Sequence, residues 1–185
     1  MRRTQWAAVM IVIATAVSFE DADAQRRVVP FAGAGLASGF RDLGDGTDNG
    51  WLAYAGIDIP LPALNPGVSI GVTGSYSRIP YTGSFDEAST ISALMGEVGY
   101  TIGAASTSIV KPYLRAGLGA QLRKYDPGNT GFREQSEGGL AVSGGAGVRF
   151  LVSSLAIVVG AHVVTDADAG VLGFHGGIGW PGTRR

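Results

Sequence analysis

Glu97, Arg115 and Arg149 occupy three successive stretches in which apolar residues alternate with small or polar ones, and each sits at the polar parity of its stretch. If these stretches are neighbouring strands, a carboxylate and two guanidiniums share one wall. A buried charge without a partner is costly, so Glu97 is expected between or beside the two arginines. The expected role is structural, a charge network that plugs an interior, in preference to an ion pathway. His162 and His175 share the polar parity of the last two stretches and could ligate a metal if they lay at one level. Two imidazoles are too few for a committed site, and with no cysteine in the chain a hydrogen-bonded core histidine is the expectation for each. Ser75 and Ser143 fall at ordinary polar-face positions, outside any nucleophile motif. No catalytic residue, metal or cofactor is therefore expected.

Two further patterns resemble ligand sites and are better read as structure. The run from Asp42 through Asp45 to Asp48 has calcium-like spacing but lacks a bidentate Glu at the expected distance, and with Asp166 and Asp168 it reads as solvated loop. Gly33-Ala34-Gly35 and Gly144-Gly145-Ala146-Gly147 neither open a helix nor precede a Lys at phosphate-loop spacing.

The elements that must position these residues follow from composition and periodicity. The 185 residues suit one domain, and 45% apolar with 16% charged content excludes a disordered polar chain. Fourteen basic residues against fifteen acidic ones leave a net charge of -1 and no basic stripe, which argues against nucleic acid as a partner. Thirty glycines are too many for an ordinary helical domain. At the N-terminus, Arg2 and Arg3 precede an apolar run from Trp6 to Phe19, and Ala22-Asp23-Ala24 is a small-x-small cleavage pattern. Residues 1–24 are accordingly expected to be a signal peptide, with residues 25–185 as the mature domain. No later segment has the 18 consecutive apolar residues of a spanning helix.

Beyond residue 27 the apolar residues recur with period two, eight times. Val110, Pro112, Leu114, Ala116, Leu118, Ala120 and Leu122 oppose Lys111, Tyr113, Arg115, Gly117, Gly119, Gln121 and Arg123. Trp51 to Ile59, Val68 to Tyr76, Leu94 to Ile102, Leu140 to Val152 and Leu172 to Trp180 divide in the same way, with Met95 as an exception. Leu155 to Val164 puts Val158 and Val164 on the face of His162, and Val28 to Phe40 completes the set. The polar faces are dominated by Gly and small hydroxyls, which would weaken a water-facing sheet but suit the crowded interior of an eight-stranded barrel. The apolar faces then meet lipid, and closure leaves no unpaired edge in hydrocarbon.

Connections near 41–50, 79–88, 125–137 and 165–170 alternate with those near 60–67, 103–108 and 153–154, as external loops and periplasmic turns would. Trp51 and Tyr76 would mark the outer rim; Tyr100, Phe150 and Trp180 would mark the periplasmic one. The chain resembles the small eight-stranded bacterial outer-membrane β-barrel proteins in its leader, its eight alternating segments and the aromatic Trp180 closing the last. It departs from them in the five residues Pro181 to Arg185 that follow. The resemblance implies an all-β, antiparallel up-and-down transmembrane barrel. It further implies outer-membrane lipid and the outer-membrane assembly machinery as partners, with a possible protein partner at the extracellular loops. Members serve as tethers, adhesins, narrow channels or lipid-modifying enzymes, so the fold alone selects no function. A structural or surface-interaction role is the leading expectation. The rivals are a soluble periplasmic barrel or accessory subunit of a membrane complex, and a lipid-modifying enzyme. Because Ala22 and Ala24 fit the small pockets of a signal peptidase, N-terminal sequencing of membrane-derived protein is expected to begin at Gln25, and an intact Met1 would refute the leader.

Overall fold

A computed structural model of the protein describes residues 28–44, 46–83, 87–128 and 135–180. The expected leader with its expected cleavage position, Asp45 and the residues after Trp180 lie outside the described residues. The strands are β1 (Val29–Arg41), β2 (Gly50–Pro60), β3 (Val68–Pro80), β4 (Ala88–Thr101), β5 (Val110–Asp126), β6 (Gln135–Val152), β7 (Leu155–Thr165) and β8 (Ala169–Gly179). Each pairs antiparallel with the next, and β8 returns to β1, so the sheet closes into a barrel. The eight-stranded up-and-down barrel expected from period two is the fold of the chain.

Strand parity resolves into two faces as the alternation predicts. Leu94, Val98, Leu114, Leu118, Val142 and Phe174 point outward and are exposed, whereas Thr73, Met95, Glu97, Lys111, Tyr113 and Ser143 point inward and are buried. Met95, the apolar exception at the polar parity of β4, is an inward residue that packs with Ala93, Ala141 and Val164. An apolar exterior around a polar interior is the reverse of a soluble sheet, and it is the arrangement hydrocarbon requires. Missing side chains let the walls approach: a Cβ on Gly147 or Gly160 would lie 2.8 or 2.7 Å from the Tyr113 hydroxyl.

The two ends of the barrel differ. At one end lie the connections 61–67, 102–109 and 153–154. In the first, Leu64 and Asn65 donate backbone bonds to the Leu61 carbonyl and Leu61 donates to Val68, which folds a seven-position span into a compact turn. In the second, the Lys111 ammonium donates to the Gly103 and Ser106 carbonyls at 2.6 and 2.7 Å, with Gly103 in the left-handed region at φ 65. The two-residue turn of the third is made by Ser153 at φ 57.

At the other end lie the described connecting residues 42–44, 46–49, 81–83, 87, 127–128 and 166–168. The expected contrast of long loops with short turns is slight, because the excess length resides in strand. β5 and β6 have 17 and 18 residues and pair up to Tyr125↔Gln135, while β6 pairs with β7 only as far as Val142↔Thr165. Inside the mouth at this end, Ala37, Leu43, Leu52, Ile79, Ile91, Ala169 and Val171 form a buried apolar plug. Leu43 comes from the first loop, whose turn is held by a bond from the Thr47 hydroxyl to the Leu43 carbonyl.

Leu118 stands outward at 71% exposure, opposite Gly96 on β4 and Val142 on β6. Replacing it by Arg is expected to destabilise the folded barrel in bilayers by about 2–4 kcal/mol, the cost of a charge near the hydrocarbon midplane. A denaturant titration in lipid vesicles checks this, and an unchanged midpoint would return the apolar face to water.

Candidate functional site

The polar interior converges on two carboxylates and two guanidiniums. Asp58 projects inward from β2, Glu97 from β4, Arg115 from β5 and Arg149 from β6, each because it occupies the inward parity of its strand. Arg115 lies between the acids: Nη1 donates to Glu97 Oε2 at 3.0 Å, and Nη2 donates to Asp58 Oδ1 and Oδ2 at 3.2 and 3.1 Å. Arg149 Nη2 donates to Asp58 Oδ2 at 2.8 Å. The side chains of Arg115, Asp58 and Glu97 are at most 10% exposed. Pairing this well desolvated stabilises only when the remaining lone pairs are satisfied too. Glu97 meets that condition: Oε2 also accepts from the Thr73 hydroxyl, and Oε1 accepts from Ser143 Oγ at 2.8 Å and lies 3.3 Å from His162 Nε2. Aromatic faces complete the setting, with Arg115 Cζ 4.8 Å from the centre of Phe31 and Arg149 Cζ 4.8 Å from that of Tyr113.

The structure therefore brings Glu97 beside Arg115 but not beside Arg149. The carboxylate shared by both arginines is Asp58. Register explains this: Glu97 pairs with Gly117 of β5, whereas Arg149 pairs with Lys111. Six positions along β5 separate those two pairings. Asp58 lay at the inward parity of β2, but parity within a strand carries no information about which strands face each other across a lumen. The same holds for Thr73 and Ser143, which complete the shell of Glu97.

The histidines differ in their bonding. His162 pairs with Gly173 and His175 with Gly160, so they are diagonal neighbours offset by two positions. His162 is hydrogen-bonded as expected. His175 Nδ1 is buried and bonds to no described residue, and its ring stands edge-on to Tyr54 with centroids 4.5 Å apart. Among the described residues no group of three or more His, Asp or Glu side chains is placed to hold a metal. Ser75 faces the lumen of β3, and both glycine-rich runs lie within strands, β1 and β6. In the last loop, burial alone would raise the Asp166 carboxyl. Backbone bonds from Ala169 and Asp168, together with the Gln121 amide, outweigh that and hold it below the ordinary carboxylate value.

A closed barrel of eight antiparallel strands, apolar outside and charged within, now stands beside a match over residues 6–180 to the family described as outer membrane protein beta-barrel domain. The chain belongs to the outer-membrane protein β-barrel domain family. Solved structures agree on the fold. Neisserial surface protein A superposes with a TM-score of 0.64 at 16% identity, covering 84% of this chain and 97% of that one. The attachment invasion locus protein of Yersinia pestis gives 0.57 at 14%, covering 83% and 96%. The N-terminal β-barrel domain of Pseudomonas aeruginosa OprF gives 0.52 at 15%, covering 84% and 98%. No curated protein matches the sequence of this outer-membrane barrel.

Removing the shared acid of this family member, Asp58→Asn, leaves Arg149 facing a neutral amide and Arg115 with Glu97 alone. Breaking a buried pair in this way costs roughly 3–5 kcal/mol, against about 0–1 for an exposed pair such as Arg123–Glu137. Unfolding titrations are expected to rank Asp58→Asn and Glu97→Gln well below Glu137→Gln in stability. Equal losses across the three would place the lumen charges in bulk water.

Proposed function

We propose that this outer-membrane barrel acts as a closed structural anchor that presents its loop end to the cell exterior for surface interaction, without transport or catalysis of its own. One observation carries the reading: the lumen is closed at its loop-end mouth. The apolar plug around Leu43 and Ile79 fills that mouth, and the ion-paired residues Asp58, Glu97, Arg115 and Arg149 lie beneath it. An eight-stranded interior is just wide enough for side chains to fill or for one small ligand to enter, too narrow for an open aqueous channel.

In this reading the paired lumen charges are structural, and Glu97, Arg115 and Arg149 stabilise the barrel rather than conduct ions. The leader through Ala24 directs export, and the assembly machinery inserts residues 25–185 with both termini in the periplasm. The loop end then faces outward, where Arg41 donates to the Asp166 and Ala167 carbonyls and ties the first loop to the last. A protein partner at these loops follows from their position. The lipid-facing positions are filled by residues such as Leu36, Val72, Leu94, Leu118, Val159 and Phe174, and the histidines point inward, which supports a non-catalytic role over lipid modification.

Cell fractionation is expected to recover the protein with the outer membrane, in a form whose electrophoretic mobility shifts on heating. Planar-bilayer recordings of the refolded barrel are expected to show negligible conductance. Steady ion-selective currents would overturn the closed-anchor reading, and recovery in the soluble periplasmic fraction would favour the accessory-barrel alternative.

A further inference from the structure

Beside and below the charged residues the interior is open. A cavity of about 710 Å³ extends from Tyr54 and His175 past Arg115 to the turn end, where Tyr113, Lys111, Arg149, Phe31 and Val158 line it. Three features give it a chemical bias. First, Lys111 and Arg149 are direct cross-strand partners pointing into the same space, although like charges directly opposite each other destabilise a sheet. Second, among the described residues the lower lumen holds three cations, Lys111, Arg115 and Arg149, against two carboxylates, Asp58 and Glu97. Both carboxylates are engaged by arginine, while Lys111 bonds, among the described residues, to the carbonyls of Gly103, Ala104 and Ser106 and to the Ser106 hydroxyl.

Third, hydrogen-bonding capacity is left over on the cavity wall. A guanidinium has five N–H donors, and Arg149 directs one bond to a described residue, Asp58. Tyr113 is 5% exposed, and its hydroxyl bonds to no described residue. Around these polar groups the wall is apolar, with Val158 and Leu151 next to Arg149 and with Ala156, Phe31 and Val29 also lining it. Positive charge in excess by one, unused donors and an apolar wall are together complementary to one kind of guest.

We propose that this turn-end vestibule binds a small carboxylate with an apolar body, its anionic group between Arg149 and Lys111 and its body along Phe31 and Val158. The anion supplies the missing negative charge and relieves the cross-strand repulsion, and the cavity wall desolvates the rest. The site is independent of the closed-anchor reading, since a plugged lumen admits a guest from the turn end without passing it through.

The probe is benzoate, with benzamide as its neutral counterpart, titrated calorimetrically into the refolded barrel in a zwitterionic detergent. Saturable binding of one benzoate per barrel is expected, weakening as salt is raised, with no saturable heat from benzamide. Lys111→Gln, which removes no carboxylate partner, is expected to weaken benzoate about tenfold, the effect of removing one positive charge beside the anion. Ala156→Phe leaves every charge in place and fills the cavity, and it must abolish binding, which keeps the test decisive should Lys111→Gln fail to fold. Absence of saturable benzoate heat, equal binding of benzamide, or binding unaffected by Ala156→Phe would each overturn the proposal. A positive titration with negligible conductance supports both readings, whereas binding with ion currents would retain the site and remove the closed anchor.

Discussion

Closure of the sheet governs everything else in this molecule. In hydrocarbon each unpaired backbone N–H or C=O costs several kcal/mol, so a strand survives there only when both of its edges are paired. The return of β8 to β1 meets that demand with eight strands, a number that also determines how wide the interior can be. A narrow interior lined by inward side chains from every strand has to be filled, and each filling residue must suit a space without bulk water. The crowding of Gly, Ser and Thr at inward positions and the pairing of the lumen charges are both consequences of that width.

The interior answers this demand differently at three depths. Near the loops it resembles an ordinary protein core, with Leu43, Ile79 and Ile91 buried among small residues. In the middle, charge is tolerated because each carboxylate meets a guanidinium and hydroxyls cover the remaining oxygens of Glu97. Toward the turns the filling stops, and the cations there are held by turn carbonyls and by a single acid. The gradient separates the layers that stabilise the barrel from the one layer that leaves space.

Periodicity made much of this legible before any coordinates, and its limits are physical. Period two assigns each residue to a face, so the eight strands, the outward leucines and the inward parity of Glu97, Arg115, Arg149, His162 and His175 could all be read from the chain. Even Met95, anomalous by composition, obeys its parity. Heights within the lumen are another matter, because they depend on the register between strands, which residue types at the turns do not specify. That is why Glu97 was matched to both arginines while Asp58, on a strand that reaches across the lumen, does the bridging. The plug was illegible for a related reason: Leu43 sits in a stretch of Asp and Gly that reads as solvated loop, and only the folding of that loop into the mouth turns its side chain inward.

The seam between β1 and β8 has a kinetic meaning. It joins Phe31 to Gly179, the pairing of greatest sequence separation in the barrel, so its loop-closure entropy is the largest of any strand pair. Along it stand Gly33, Gly35, Gly173, Gly176 and Gly177, and a Cβ at Gly35 would fall 1.9 Å from the Phe174 carbonyl oxygen. The two most distant edges of the chain thus meet backbone to backbone, and a side chain at Gly35 would hold them apart.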